Sequence, residues 1–401
     1  MRKSLLPFLS IIIFQCSPIQ NKEVSVHSME ILNSPTEVGS AEPSLVTGKN
    51  GEVFLSWTHQ KNDTAYLKFS SLSGDQWSSP QIIGSGTNWF VNWADYPTIA
   101  VNDQNFAANF LVRNGQSAYA YDAVVSTSVD KGEHWTVSTP INDDRKEAEH
   151  GFVSIIPYKE NFFVTWLDGR NTVMEGMENM EGHEGHHGSM SIRAAIIDKN
   201  NKKVSEWELD NKTCDCCQTS SAMTNAGPIV VYRDRSHQEI RDISIVRLID
   251  GKWTVPKPVS QDNWKINGCP VNGPRVVASG DDVVVAWYTG AQDSTQVKIS
   301  FSADGGATFG KAILINEKQA IGRVDIEMLS KELIMICWME DEKIKAAKVH
   351  ADGTKEATII IASSSSARSS GFPQMTKSGD HLIFAWTDEA SNNIKLMRIK
   401  I

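Results

Sequence analysis

Several features that mark common protein classes are scarce in this sequence of 401 residues. It has no run rich in lysine and arginine, and its net charge is -9, so nucleic acid is not expected as a partner. After the first 14 residues, no apolar run approaches the length of a membrane span. No segment of useful length has the period of an amphipathic helix, which favours an all-β fold.

Familiar catalytic motifs are also missing. The chain has no glycine-rich phosphate loop, no His-Glu-x-x-His motif and no Gly-x-Ser-x-Gly elbow. Any function therefore has to be inferred from clusters of residues that the fold brings together.

The first 20 residues predict an export signal. Arg2 and Lys3 precede an apolar run at 5–14 that is too short to span a bilayer. The four residues that end at Cys16 resemble a loose lipoprotein box, in which this cysteine is lipidated; simple cleavage is the alternative. We expect a periplasmic or cell-surface lipoprotein that meets the membrane only through Cys16.

An eight-residue turn pattern occurs twice in full, each time after an alternating strand. The pattern is Ser-x-Asp-x-Gly-x-x-aromatic, at 128–135 and 302–309, and shorter copies lie at 72–77 and 249–253. In such a turn the Asp accepts hydrogen bonds from backbone amides, the Gly takes a positive φ, and the aromatic side chain packs back under the strands. Its recurrence between strands indicates a structural repeat.

Seven continuous apolar runs of strand length indicate the repeating unit. They lie at 53–57, 107–113, 162–166, 228–233, 283–287, 333–338 and 382–386. Each predicts a central strand covered on both faces by neighbouring units. The last unit ends after its third strand, and a segment at 28–32 would complete it. We predict one all-β propeller domain over 28–401, with four-stranded blades, seven by count and six as the alternative.

The turn pattern resembles the Asp-box, or bacterial neuraminidase repeat, of the sialidase superfamily of β-propellers. Three strings, CDCCQT at 214–219, WLDGR at 166–170 and GCPVNGP at 268–274, look like those of exported bacterial propellers labelled exo-α-sialidase. The resemblance implies a glycoside hydrolase acting on terminal sugars of glycoconjugates. The Arg-Ile-Pro motif and the late nucleophilic Tyr of that family are missing here, so turnover stays open.

Blade order predicts where a site would lie. The connections that enter first strands, and the loops after second strands, share the end of the ring opposite the Asp-box turns. Charged and aromatic candidates concentrate in these segments: Trp93, Asp95, His150, Arg170, Arg233, Arg235, Glu239, Arg241 and Arg323.

Roles within this set follow from the sialidase resemblance. Arg233, Arg235 and Arg323 are candidates to bind a substrate carboxylate in bidentate fashion. Asp95 is the candidate acid, and Tyr232 with Glu239 is the candidate nucleophile pair. The remaining substrate-binding candidates are Arg170, Arg241, Trp93 and His150. The alternative is an Arg/Asp network that only holds the loop.

An insert at 171–190 is rich in thioether and imidazole groups. Its candidate ligands are Met174, Met177, Met180, His183, His186, His187 and Met190. Methionine sulfur combined with imidazole suits Cu(I), so copper is the expected metal, although no motif requires a cofactor. The alternative is a flexible insertion without a ligand.

Four cysteines enter the first strands of adjacent blades. Cys214, Cys216, Cys217 and Cys269 are expected to approach the central channel together, either as disulfides or as a thiolate metal site completed by His150. Two functions follow for a monomeric protein. One is a sugar-directed hydrolase with a glycan partner, and the other is a non-catalytic propeller that binds copper or a partner.

Overall fold

A computed structural model describes residues 29–173 and 188–401. These residues form seven antiparallel sheets arranged as the blades of a propeller. Their only helical segments are two short 3-10 turns, Ala291–Asp293 and Arg368–Ser370. The predicted all-β propeller with seven blades is therefore confirmed.

Each blade has four strand positions, numbered from the central axis outward. The first strands are Ser40–Thr47, Ile99–Asn102, His150–Tyr158, Ser220–Met223, Arg275–Ser279, Ala320–Ser330 and Gln374–Ser378. The second strands are Val53–Lys61, Asn105–Arg113, Asn161–Asp168, Pro228–Arg233, Asp282–Thr289, Leu333–Glu340 and His381–Asp388. The third strands are Thr64–Ser73, Tyr121–Ser128, Ser191–Ile197, Ile243–Ile249, Gln296–Ser302, Lys343–His350 and Asn393–Lys400.

The fourth, outermost position is more variable. Five blades have one strand there: Thr139–Pro140, Lys203–Asp210, Ile313–Leu314, Ile359–Ser363 and, in the last blade, Met29–Leu32. In the first and fourth blades it is split into two short pieces: Gln76–Trp77 with Gln81–Gly86, and Lys252–Trp253 with Lys257–Pro258.

The ring closes through both ends of the described chain. Each first strand contacts the first strands of its two neighbours, so all seven surround one axis. Met29–Leu32 pairs antiparallel with Asn393–Lys400 and completes the seventh blade. The predicted closure is confirmed, and it covers what would otherwise be an unpaired strand edge.

Hydrophobic contact between neighbouring blades forms the core. Seven apolar clusters lie one at each blade junction. Tryptophans near the ends of five second strands are buried there: Trp57, Trp166, Trp287, Trp338 and Trp386. Because a second strand meets a neighbouring blade on each face, its sequence is apolar without alternation.

The two full turn patterns have the contacts expected of them. Ser128 Oγ donates to Asp130 Oδ1 at 2.7 Å, and the amides of Gly132 and His134 donate to Ser128 Oγ and Asp130 Oδ1 at 2.9 and 3.0 Å. The turn at 302–308 repeats these three contacts. Gly132 has a φ of 87°, as the pattern predicts.

Two predicted features lie outside the described residues. One is the export signal with Cys16. The other is most of the insert, namely Met174, Met177, Met180, His183, His186 and His187. In the part of the chain that the structure describes, no helix is long and apolar enough to cross a membrane.

Candidate functional site

The connections entering several first strands meet at one end of the ring around a cavity of about 300 Å³. We call this cavity the mouth pocket. Its aromatic lining is Phe90, Trp93, Tyr119, Tyr121 and Phe152, and its polar lining includes Glu149, Asp215, Cys216, Cys269 and Arg368. The pocket lies at the end of the ring opposite the two Ser-x-Asp-x-Gly turns, where the sequence predicts a site.

Four thiols converge beside the mouth pocket; we call them the thiol cluster. The sulfur atoms of Cys214, Cys216 and Cys217 lie within 4.8 Å of one another. Cys214 and Cys217 are 3.8 Å apart and almost completely buried. Cys269, from the next blade, is exposed but lies close enough to Cys214 to affect its pKa. Three neighbours in the chain and one residue from another loop thus form a single group.

The environment of the thiol cluster favours a thiolate at Cys214. Hydrogen bonds from the neighbouring thiols lower its pKa well below the usual range. Arg241 Nη1 lies 3.3 Å from Cys214 Sγ and supplies positive charge. The pKa of Cys269 is raised to about 11, mainly by its interaction with the Cys214 thiol. One site in the cluster can thus carry a negative charge while the others hold their protons.

No disulfide joins the cysteines that the structure describes. The 3.8 Å between Cys214 and Cys217 exceeds the disulfide bond length of about 2.05 Å. His150 does not belong to the thiol cluster but to a separate group with Asp144 and Asp168. Of the two predicted arrangements, the free thiols fit a ligand set, and they do so without the predicted imidazole.

His150 is completely buried at the junction of the second and third blades. Its Nδ1 lies 3.1 Å from the carbonyl oxygen of Tyr121, and its Nε2 lies 3.2 Å from Asp144 and 3.7 Å from Asp168. Burial alone would lower its pKa, but the two carboxylates raise it overall. Because no part of the side chain is exposed, direct contact with a substrate would require rearrangement.

A hydrogen-bonded tyrosine and carboxylate line the mouth pocket. Tyr121 donates to Glu149 Oε1 at 2.8 Å, and burial raises the pKa of Glu149 to about 7. The predicted acid, Asp95, lies close enough for its charge to raise the pKa of Tyr121 and for the charge of Glu149 to raise its own pKa. It is 2% exposed, and its Oδ1 accepts a hydrogen bond from Phe152 N at 2.6 Å, so it stands behind the pocket wall.

The predicted nucleophile pair is not brought together. Tyr232 is completely buried and donates to Asp210 Oδ2 at 2.6 Å. Glu239 instead accepts from Arg235 at 3.0 Å and from Arg241 at 2.9 Å. The tyrosine lies at the junction of the third and fourth blades, whereas the glutamate belongs to the loop between Pro228–Arg233 and Ile243–Ile249.

Most predicted substrate-binding arginines have partners within the protein. Arg233 is 1% exposed and donates to the carbonyl oxygens of Asn272, Arg241 and Tyr288. Arg323 is similarly buried and donates to carbonyls and a hydroxyl of the loop at 366–371. The guanidinium groups of Arg233 and Arg323 therefore hold loops in place. This agrees with the alternative given above, in which the arginines have a structural role only.

Three further predicted site residues have different surroundings. Arg170 forms a bidentate pair with Asp168 at 2.7 and 2.8 Å. Trp93 lines the mouth pocket, with the Arg323 guanidinium 4.8 Å from its ring centre. Met190 is packed in the apolar junction of the third and fourth blades, where its sulfur is buried among hydrocarbon side chains.

Sequence reasoning did not single out Tyr121 or the Tyr121–Glu149 pair. Tyr121 begins a third strand and Glu149 directly precedes a first strand, so they are 28 positions apart. No local motif links them. The density of charged residues before first strands is the only signal available in the sequence, and it could have found Glu149 but not Tyr121.

Comparisons with known proteins show the fold. The sequence matches no protein-family model and no curated protein. The structure is similar to the BP39L lectin from Burkholderia pseudomallei, with a TM-score of 0.61 at 12% identity, covering 91% of this chain and 97% of the lectin. It is also similar to a polysaccharide lyase of family PL25, an ulvan lyase, with a TM-score of 0.58 at 13% identity, covering 92% and 95%.

Sialidases are among the similar structures as well. The NanB sialidase from Streptococcus pneumoniae matches with a TM-score of 0.46 at 11% identity, covering 89% of this chain and 85% of the sialidase. That value is too low to support an argument about activity. The chain is therefore a seven-bladed, all-β propeller that shares its fold with a lectin and a polysaccharide lyase.

Proposed function

We propose that this protein binds a soft metal ion, Cu(I), at the thiol cluster. The observation that carries the proposal is the convergence of three largely buried sulfur atoms within 4.8 Å, with a fourth thiol near enough to affect the pKa of Cys214. Cysteines seldom gather in this way unless they form disulfides or bind a common metal ion.

The spacing of the thiol cluster suits a shared ion. Metal–sulfur bonds of about 2.3 Å place two sulfur ligands of one ion about 3.8 Å apart. Cys214 and Cys217 have that separation. A donor set made only of sulfur favours soft ions such as Cu(I) over ions that prefer oxygen. Arg241, beside Cys214, would offset part of the thiolate charge.

Cu(I) competition measurements on the full chain test this proposal. Anaerobic titration against a coloured Cu(I) chelator should show one tightly bound ion in the unmodified protein. Cys214→Ser and Cys217→Ser should each weaken binding by more than about a hundredfold, because removing a ligand costs more than disturbing its surroundings. Cys337→Ser, which changes a buried cysteine in a second strand of another blade, is the matched control.

Unchanged Cu(I) affinity in both thiol-cluster variants would place the metal elsewhere and refute the proposal. Thiol titration of the unfolded protein provides a second check. A metal site should release free thiols when a chelator is added, whereas a disulfide would need a reductant.

A second candidate function concerns carbohydrates at the same mouth pocket. The observation that favours it is the Tyr121–Glu149 hydrogen bond beside aromatic side chains that could stack on a sugar ring. A carboxyl with a raised pKa can act as an acid near neutral pH. The lectin and the lyase with this fold add support, and an exo-α-sialidase-type glycoside hydrolase is the specific form of this candidate.

Hydrolysis assays separate the two candidates. Fluorogenic sialosides and neutral glycosides should be cleaved by the unmodified protein and not by Glu149→Gln if the pocket is catalytic. Tyr121→Phe should also reduce cleavage, because Tyr121 donates a hydrogen bond to Glu149. Tyr119→Phe is its matched control, because Tyr119 lines the same pocket without donating to Glu149. If no substrate is cleaved and Cu(I) binds tightly, the hydrolase candidate is excluded and metal binding is the remaining function.

A further inference from the structure

We propose that Asp144, His150 and Asp168 form a second metal site, which holds a borderline divalent cation such as Zn²⁺. The group lies at the junction of the second and third blades and is separate from the thiol cluster. Asp144 belongs to the loop after Thr139–Pro140, His150 begins a first strand, and Asp168 ends a second strand. The proposal is independent of the Cu(I) site.

The donor atoms have the spacing of ligands to one ion. His150 Nε2 lies 3.2 Å from Asp144 Oδ1 and 3.7 Å from Asp168 Oδ1, and the three donors lie within 4.8 Å of one another. Bonds of about 2.0–2.1 Å in a tetrahedral zinc site place neighbouring ligand atoms roughly 3.3 Å apart. The observed contacts bracket that value.

Buried polar atoms in the group also lack partners. Within 29–173 and 188–401, His150 Nε2, Asp144 Oδ2 and Asn142 Oδ1 have no hydrogen-bond partner. The side chains of His150 and Asp144 are 0% and 6% exposed, and Asn142 is 4% exposed. Leaving such groups unpaired is costly, so their concentration at one place points to a ligand that satisfies them.

The surrounding contacts orient the ligands as around known metal sites. The Nδ1 of His150 can donate to the Tyr121 carbonyl oxygen at 3.1 Å, which leaves Nε2 with a free lone pair facing the carboxylates. Asp168 is held by Arg170 and by Trp166 Nε1, the latter at 2.8 Å. Both side chains are therefore preorganised before any ion arrives.

The charge balance favours a divalent cation. Three carboxylates approach the imidazole, from Asp122, Asp144 and Asp168, and Arg170 is the guanidinium paired with one of them. If the imidazole is neutral, the three carboxylates and the one guanidinium together carry a net charge of two negative units. One divalent cation would balance them. The mixture of imidazole and carboxylate donors suits Zn²⁺ better than Cu(I) or Ca²⁺.

The competing explanation is a protonated His150 that pairs with the carboxylates without any metal. In that arrangement Nε2 should donate a well-aligned hydrogen bond. Its 3.2 Å separation from Asp144 Oδ1 is short enough for such a bond, but the two groups are not aligned for one. The two explanations differ in metal uptake, so an experiment can decide between them.

Metal binding by the full chain with Cys214→Ser tests the proposal, because that change disables the thiol cluster. After chelator treatment, added Zn²⁺ should bind at one equivalent and raise the melting temperature. Co²⁺ should give visible ligand-field bands without the near-ultraviolet charge-transfer band of thiolate ligation. Repeating the Co²⁺ titration in the unmodified protein shows whether the Cys214 change affects this site.

Asp144→Asn and His150→Gln should each lower Zn²⁺ affinity by more than about a hundredfold and so strongly reduce the melting shift. Asp143→Asn is the matched control, because its carboxylate is exposed and pairs with Lys203 and Arg170 instead of His150. Asp144→Asn keeps the side-chain shape, so it covers the case in which His150→Gln does not fold. The absence of Zn²⁺ uptake, or equal affinity in Asp144→Asn and Asp143→Asn, would refute the site in favour of a protonated His150.

Discussion

At the residue scale, a half-buried carboxyl away from the proposed sites should make stability depend on pH. Glu327 lies in the first strand of the sixth blade. It lines a cavity at the carboxyl-terminal ends of several first strands. Burial, reinforced by the nearby charge of Asp325, raises its pKa from 4.5 to about 8. Between these values the folded protein holds a proton that the unfolded chain releases, so stability falls as pH rises from 5 to 8.

Glu327→Gln should remove this dependence. We expect the variant to be more stable than the unmodified protein by about 1–3 kcal/mol at pH 9, and close to it at pH 5. Urea unfolding at the two pH values measures the difference, with the exposed Glu332→Gln as control. A variant that keeps the full pH dependence of the unmodified protein would show that Glu327 is not its source.

At the element scale, the turn at 128–135 depends on a glycine in a position closed to other residues. Gly132 has a φ of 87°, and a Cβ at this position would lie 2.4 Å from Phe69 Cζ. Gly74, in a shorter copy of the turn, has a φ of 61° with open space around it. The two glycines therefore separate backbone strain from steric overlap.

Gly132→Ala should lower the free energy of unfolding by about 2–4 kcal/mol, because the strain of the positive φ adds to overlap with a packed ring. Gly74→Ala should cost about 1 kcal/mol, from strain alone. Chemical denaturation of the two variants provides the comparison. Equal losses would mean that the close approach to Phe69 relaxes without cost.

At the scale of the whole molecule, stability depends on ring closure by Met29–Leu32. Leu32 is 7% exposed and packs at the junction of the seventh and first blades. Ile31, beside it in the same strand, is 77% exposed. Weakening this strand should affect the entire ring, because each blade is supported by its two neighbours.

Leu32→Ala should therefore destabilise the protein by about 2–4 kcal/mol, as expected for a large-to-small change in a core. Ile31→Ala, the control in the same strand, should change stability by less than about 0.5 kcal/mol. Thermal unfolding combined with limited proteolysis measures both effects. If the two variants behave alike, the terminal strand does not support closure.

The sequence alone determined the architecture, because the relevant signals are local. The apolar runs ending near Trp57, Trp166 and Trp287 reflect strands covered on both faces, and the Ser-x-Asp-x-Gly turns depend on contacts within eight residues. The missing strand of the last blade could likewise be inferred from counting units.

The site was decided by the tertiary structure, because its contacts join distant loops. An arginine in sequence does not reveal whether its donors meet a ligand or, as for Arg233, carbonyl oxygens of the next blade. The Tyr121–Glu149 pair and the approach of Cys269 to Cys214 likewise exist only once the ring closes. Spacing along the chain predicted that Cys214, Cys216 and Cys217 are neighbours, but only the packing of blades sets the charge, burial and partners that give side chains their chemistry.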